Sequence, residues 1–399
     1  MNPIVVHKYG GSSLADLEKI RRVAARIVDT VQSGKRVVAV VSAMGGTTDG
    51  LLAQAKGVSA TPNARELDML LSVGERISTA LLAIAVHDLG VPAVSFTGSQ
   101  SGIITNTRHN RARIIEVRPY RLMDELDAGK VVIVAGYQGV SYAREITTLG
   151  RGGTDTTAVA LAAALDAEYC EICSDVDGVY TADPRIVPSA ERLEALDHGE
   201  MAALARSGAR VLNQDCVAYA SRAGVAIFAK ATFGPRDDKG TVIRTNPSDG
   251  QRTVTAIAHR SAVARLVGDP SVPLDRLLEL AAAAGTLPCA VHGGGPGASV
   301  ELRIALEDAH HLDTLHERVA AEFGEAVTHD RDHGTVTVVG HGLGEDPLIL
   351  RGILTTARRV TNADVDLQLG PLSATVLVPC DAVSETVKQL HLALLEDTA

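Results

Sequence analysis

The feature that most constrains this chain is a recurring junction, in which a short, continuous apolar run stops at a turn rich in glycine and hydroxyls. Ile4 to Tyr9 ends at Gly10-Gly11-Ser12-Ser13, and Arg36 to Val41 ends at Ser42-Ala43-Met44-Gly45-Gly46. Val131 to Ala135, Tyr169 to Ser174 and Val225 to Lys230 are further runs of the same kind. Between them lie helical patterns. Leu14, Leu17, Ile20, Val23, Ile27 and Val31 make one stripe, with Ser12 or Ser13 as its expected N-cap, and Thr156 to Leu165 is an alanine-rich helix. Apolar strands alternating with helices predict an α/β fold: a mostly parallel open sheet sandwiched by helices over residues 1–248.

The character changes after Asn246-Pro247-Ser248-Asp249-Gly250, which reads as a linker. Residues 252–330 and 333–399 each follow the order strand, helix, strand, strand, helix. Val254 to Ala258 leads to a helix at Pro273 to Ala284, and Thr335 to Val339 leads to one at Leu348 to Val360. The match between the two is one of pattern, and predicts a tandem pair of small α+β modules.

Aromatic residues are 3% of the 399 and the net charge is −10, so the chain has neither the basic footprint nor the stacking platforms that nucleic acid requires. No run of about 18 uninterrupted apolar residues predicts a membrane span. The N-terminus enters a strand pattern at once, without the basic and apolar regions of a signal peptide. Five cysteines, an odd number, fit a reducing cytoplasm. Cys170 and Cys173 are spaced C-x-x-C, but in a strand pattern where positions three apart face opposite ways, so no metal site is expected.

In open α/β sheets, ligands bind beyond the carboxyl ends of the strands. Four such ends carry chemistry here. At the first, Gly10 and Gly11 let backbone amides approach a phosphate, the following helix start favours an anion, and Lys8 adds a positive charge. No Walker A sequence occurs. At the second, Ser42 and Thr48 offer hydroxyls. The third, Thr148 to Thr157, holds Arg151 between glycines, where it can clamp a carboxylate, followed by Gly152, Gly153, Thr154 and Asp155. Asp155 either holds a lysine or is a plain acid in a first helical turn. The fourth, Ser174 to Arg185, presents Asp175, Tyr180, Asp183 and Arg185, suited to a base, a ribose and Mg²⁺. Glu75, in Gly74-Glu75-Arg76-Ile77-Ser78, falls in a helical pattern that by itself fits a surface or a site residue equally. Phosphoryl transfer needs positive groups about the moving phosphoryl and a positioned nucleophile, and an ionised carboxylate needs no general base.

Taken in order, these motifs, with Ser95-Phe96-Thr97-Gly98-Ser99-Gln100 and Gly136-Tyr137-Gln138-Gly139, resemble the aspartokinase branch of the amino-acid kinase family over residues 1 to about 245. The resemblance implies ATP and Mg²⁺ as cofactors and L-aspartate as substrate, phosphorylated on its β-carboxylate at the entry to lysine, threonine and methionine synthesis. It implies that Lys8 bridges the transferring phosphoryl beside the Gly10 and Gly11 amides, with Asp155 orienting Lys8. Ser42 and Thr48 would line the meeting point of the substrates, Arg151 would hold the α-carboxylate, and Glu75 would complete the pocket. Ser174, Asp175, Tyr180, Asp183 and Arg185 would hold ATP, with Lys230 near its phosphates. The C-terminal modules resemble paired ACT domains, which implies a homo-oligomer. Asp269-Pro270-Ser271-Val272 and Asp346-Pro347-Leu348 replace the family's Pro-Gly turns, and its effector residues are missing near Val291-His292-Gly293 and Gln368-Leu369-Gly370, so lysine and threonine control is expected to be altered or absent. The competing readings are a kinase for a related amino-acid carboxylate and a catalytically idle amino-acid-binding regulator.

Overall fold

The computed structural model describes residues 2–150, 152–235, 238–245, 253–293, 295, 297–308 and 312–396. The expected linker at 246–250 and Arg151 lie outside the described residues. The chain divides into two compact units. The first comprises Met1–Val179, Arg192–Ala205 and Arg210–Gly250; the second comprises Tyr180–Glu191, Arg206–Ala209 and Gln251–Ala399.

Strands of the first unit are β1 (Ile4–Tyr9), β2 (Arg36–Val41), β3 (Ala93–Phe96), β4 (Ile103–Thr105), β5 (Ile114–Val117), β6 (Val131–Ala135), β7 (Gln138–Ser141), β8 (Ile146–Thr148), β9 (Tyr169–Ser174), β10 (Ala195–Leu196), β11 (Ile227–Ala231) and β12 (Thr241–Ile243). Its helices are α1 (Leu17–Gln32), α2 (Thr47–Val58), α3 (Ala64–Leu71), α4 (Val73–Asp88), α5 (Tyr120–Asp127), α6 (Gly153–Ala164), α7 (His198–Arg206) and α8 (Gln214–Ala223). Among the described residues, eight strands form the main sheet in the order β10-β12-β11-β9-β1-β2-β6-β3. All its pairings are parallel except β11 with β12. Strands β2, β6 and β3 extend to one side of β1, and β9 and β11 to the other. This makes the β9/β1 boundary the topological switch point, where an open sheet leaves a crevice.

The pleat sets what each face can do. Val5, Tyr9, Val37, Ala39, Val41, Ile133 and Cys173 point to the side covered by α1 and α4, where Ile20, Val23, Ile27, Leu82 and Val86 complete a core. Lys8 points the other way, to the face packed by α6. Cys170 and Cys173 are both buried on opposite faces of β9, as their spacing requires. The helix after β1 begins later than expected. Gly11–Leu14 forms a single 3-10 turn, and Asp16, not Ser12 or Ser13, caps α1 by accepting from Lys19 N at 2.8 Å. The intervening turn lets Leu14 fill the core and turns Ser13 inward.

Among the described residues, one helical stretch, Ala64–Asp88, is long and apolar enough to cross a membrane by length and composition. It is two helices meeting at Ser72, and half of its most apolar window is buried inside the protein.

The second unit repeats one motif. Strand β13 (Ala256–Gly268), α9 (Leu274–Ala283), β14 (Ala290–His292), β15 (Val300–Ala305) and α10 (Leu312–Phe323) make the first copy. Strand β16 (Val327–Val339), α11 (Pro347–Thr361), β17 (Leu367–Gly370), β18 (Ser373–Pro379) and α12 (Val383–His391) make the second. The six strands join in one antiparallel sheet, β14-β15-β13-β16-β18-β17, centred on the two long strands. Tyr180–Glu191 also belongs here: Ala182 and Val187 enter the core around Val336, Ile353 and Val387. Ile257 N donates to the Thr181 carbonyl at 2.7 Å, and the Thr181 hydroxyl meets His391 Nε2 at 2.9 Å.

Candidate active site

The loops that follow β1, β2 and β8 are joined by hydrogen bonds and an ion pair. The Gly10–Ser13 and Ser42–Gly46 loops lie against one another: Ser42 N donates to the Tyr9 carbonyl at 3.0 Å and Gly45 N to the Gly11 carbonyl at 3.1 Å. Gly11 suits this approach, because a Cβ there would stand 3.0 Å from the Ala43 carbonyl oxygen and the facing loop would have to give by a few tenths of an ångström. At Gly10 a Cβ would stand 3.3 Å from Lys8 Nζ, so the lysine head lies directly beside the bare backbone of the turn.

Lys8 Nζ meets Asp155 Oδ1 at 2.7 Å, an ion pair whose angle falls outside hydrogen-bonding geometry. Asp155 lies in the first turn of α6, so the pair links the tip of β1 to a helix N-terminus. Both readings of Asp155 are therefore met at once: it is an acid in a first turn, and it holds a lysine. Helix α6 starts at Gly153, three residues before the expected Thr156, so Thr154 and Asp155 are helical. Gly152, its N-cap, has φ of 73° and a neighbour, Asn213 Nδ2, that a Cβ would approach to 2.3 Å. Both demands exclude a side chain there. Thr154 accepts from Ser42 Oγ at 3.0 Å, which places two hydroxyls between the second and third loops.

Glu75 is in the first turn of α4 and 3% exposed. Its Oε1 accepts from Ala43 N at 3.1 Å, while its buried Oε2 has no hydrogen-bond partner among the described residues. Burial pushes the carboxyl up to about 7, against the pull of its backbone hydrogen bonds. A buried acid with no cation beside it among the described residues, at the junction of two loops, is suited to a cationic group arriving with a ligand. Thr48 is half-buried in the first turn of α2.

The remaining expected residues separate into groups. Ser174 ends β9 and shapes its own turn, its Oγ accepting from Val176 N at 3.2 Å, and Asp175 is exposed beside it. Tyr180, Asp183 and Arg185 are carried by the second unit, where Arg185 Nη2 pairs with Asp183 Oδ2 at 2.7 Å. Lys230 lies on the opposite face of the sheet from Lys8, and its ammonium is held by Glu171 Oε1 at 3.3 Å.

Residues that the motif analysis passed over complete the surroundings. Glu171 also pairs with Arg26 of α1 at 3.0 Å, and His7 Nε2 stands 3.5 Å away. Burial pushes the Glu171 carboxyl up, but His7, Lys230 and Arg26 together outweigh it and hold it at about 2. Burial lowers His7 itself, and Arg26 and Lys230 lower it further against the opposing pull of Glu171. Asp68, fully buried on α3, accepts from His109 Nδ1 (2.7 Å), Asn110 N (3.0 Å) and Thr148 Oγ1 (2.5 Å). It thereby ties the 106–113 loop to the strand that leads into Gly150–Gly153. The signal was present: charged residues inside apolar runs, as in Tyr169-Cys170-Glu171-Ile172-Cys173 and Ile227-Phe228-Ala229-Lys230-Ala231, must be paired when buried.

The fold and site thus define an open α/β protein with a glycine turn beside a lysine–aspartate pair. Residues 3–229 match the model of the amino acid kinase family. The aspartokinase of Corynebacterium efficiens is 41% identical over 97% of this chain and 95% of its own length. That of Mycolicibacterium smegmatis is 54% identical over 68% of this chain, a match that spans 65% of the relative. Escherichia coli aspartokinase III, solved with aspartate and ADP, shares the fold with a TM-score of 0.83 at 24% identity, covering 98% of this chain and 100% of that one. Synechocystis aspartate kinase is 30% identical with a TM-score of 0.57, covering 98% of this chain and 69% of its own. The chain belongs to the amino acid kinase family, in its aspartokinase branch.

Proposed function

We propose that the protein transfers the γ-phosphoryl group of ATP to the β-carboxylate of L-aspartate, giving 4-phospho-L-aspartate and ADP. The observation that carries this is the Lys8–Asp155 pair, 2.7 Å apart, against the side-chain-free turn at Gly10 and Gly11. Lys8 and the turn amides neutralise charge on the phosphoryl as it moves, and Asp155 fixes where Lys8 points. The ionised β-carboxylate attacks without a base. Glu75 takes the substrate ammonium, which gives its unpartnered Oε2 a cation, and Arg151 takes the α-carboxylate by the family pattern. Ser42 and Thr154, hydrogen-bonded to each other, line the point where the substrates meet, with Thr48 nearby. Ser174 and Asp175 stand on the nucleotide side. Mg²⁺ enters as part of the ATP substrate and offsets its phosphate charge.

The reading extends to the setting: a cytoplasmic homo-oligomer formed through the ACT-like modules at 252–330 and 333–399. Feedback by lysine and threonine is altered or absent. Among the described residues, a groove of about 590 Å³ opens beside Pro270, Pro273, Leu274, Asp275 and Leu278, and Asp275 is the only charge lining it.

Trapping the acyl phosphate with hydroxylamine, in the presence of Mg²⁺ and ATP, tests this directly. Aspartate should yield aspartyl hydroxamate, glutamate at the same concentration should yield little, and millimolar lysine with threonine should leave the rate unchanged. Hydroxamate from glutamate alone would favour the related-carboxylate kinase, none from either would favour the idle regulator, and strong inhibition by lysine and threonine would refute the altered feedback.

A further inference from the structure

Three loops of the first unit converge on one hydroxyl that no motif contains. Thr232 follows β11 and is 3% exposed. Its Oγ1 donates to the Ser174 carbonyl at 2.9 Å, so the Ser13 hydroxyl, 2.6 Å away, must be the donor to it. Its backbone N also donates to the Ser174 carbonyl, at 2.8 Å. The end of the glycine turn after β1 and the end of β9 are thereby joined through one side chain.

Thr232 is itself anchored from beneath. Arg26 Nη1 donates to the carbonyls of Thr232 at 2.9 Å and Ala231 at 3.3 Å, while Nη2 pairs with Glu171. Glu171 in turn holds Lys230, on the same strand as Ala231. One helical turn before Arg26, Arg22 lies 3.9 Å over the Phe233 ring. Helix α1 leaves the glycine turn and reaches back, at Arg22 and Arg26, to fix the loop that fastens that turn to β9.

We propose that Thr232 is a positioning residue for the nucleotide, holding the Gly10–Ser13 turn and Ser174 in register, with Arg26 and the Glu171–Lys230 pair as its anchor. Lys230 acts through that anchor and not by touching a phosphate. The inference rests on the proposed function, in which the turn and Ser174 face ATP. Aspartate meets other loops, so losing the Thr232 hydroxyl selectively weakens nucleotide binding.

The test uses the full chain with Thr232→Val, Thr232→Ser and Arg26→Lys. Two readouts are taken: the KM values for ATP and aspartate, and direct titration of a fluorescent ADP analogue with Mg²⁺. A buried hydrogen bond contributes about 1 kcal/mol, so Thr232→Val is expected to raise the KM for ATP and the Kd of the analogue about five- to tenfold, with the KM for aspartate moving less than about twofold. Thr232→Ser restores both, and Arg26→Lys, which keeps a charge on Glu171 but loses the forked reach to two carbonyls, reproduces the nucleotide-selective loss even if Thr232→Val fails to fold. Unchanged nucleotide binding in Thr232→Val or in Arg26→Lys, equal shifts in both KM values, or failure of serine to restore binding would overturn the proposal. A wild-type chain that binds nucleotide without phosphorylating aspartate would count against the proposed function alone, and the titration would still decide this one.

Discussion

Glu75 shows how burial alone can prepare a side chain. Its carboxyl is raised to about 7 from a value near 4.5, because burial outweighs its backbone hydrogen bonds. The sign of the consequence follows. The folded chain prefers the protonated form, so this group's contribution to stability is full below about pH 4.5 and is lost as pH rises through about 7. Above that, the ionised carboxylate costs the ligand-free fold on the order of 3 kcal/mol. Glu75→Gln removes that cost. Its unfolding free energy, from urea titration without ligands, should match wild type near pH 4.5 and exceed it by up to about 3 kcal/mol at pH 8. Aspartate binding should weaken in the same variant, because the ammonium loses its counter-charge. A stability difference independent of pH would show that the carboxylate is not destabilised by its site.

Elements were legible wherever the signal was local. Strands β1, β2, β6 and β9 have the bounds read from their apolar runs, since buried parallel strands need continuous apolar residues and their loops need glycine. The two βαββα copies followed from pattern alone. What stayed hidden depends on distant partners. The 3-10 turn that moves the cap to Asp16 exists because Leu14 and Ser13 are drawn inward, and β13 and β16 run to 13 residues because each is the other's template. The clasp of Asp68 is of this kind: its partners lie more than 40 positions away. It also carries a prediction. Asp68→Asn keeps the shape but offers an amide where three donors converge. It should lower stability by about 2 kcal/mol in urea unfolding and loosen the 106–113 loop, seen as faster amide exchange at Asn110. Unchanged exchange at Asn110 would mean the loop is held by other contacts.

Across the whole molecule, the motifs match one family as a set, and the run after β9 divides between the two units. A single run, Ser174 to Arg185, is split: Ser174 and Asp175 stay with the first unit, while Tyr180, Asp183 and Arg185 belong to the second, anchored by the burial of Ala182 in its core. Nothing in local periodicity marks that break, because Ala182 and Val187 read as ordinary apolar residues until their partners around Val336 and Val387 are known. The glycine turns and Lys8, by contrast, carry their chemistry in their own residue types. The account therefore rests most heavily on Lys8. The decisive measurement is the rate of ADP release with aspartate, ATP and Mg²⁺ for wild type and Lys8→Ala, with the melting temperature of each recorded alongside. The account predicts aspartate-dependent turnover in wild type and a loss of at least about a thousandfold in Lys8→Ala with little change in melting temperature; near-normal turnover in Lys8→Ala would contradict it.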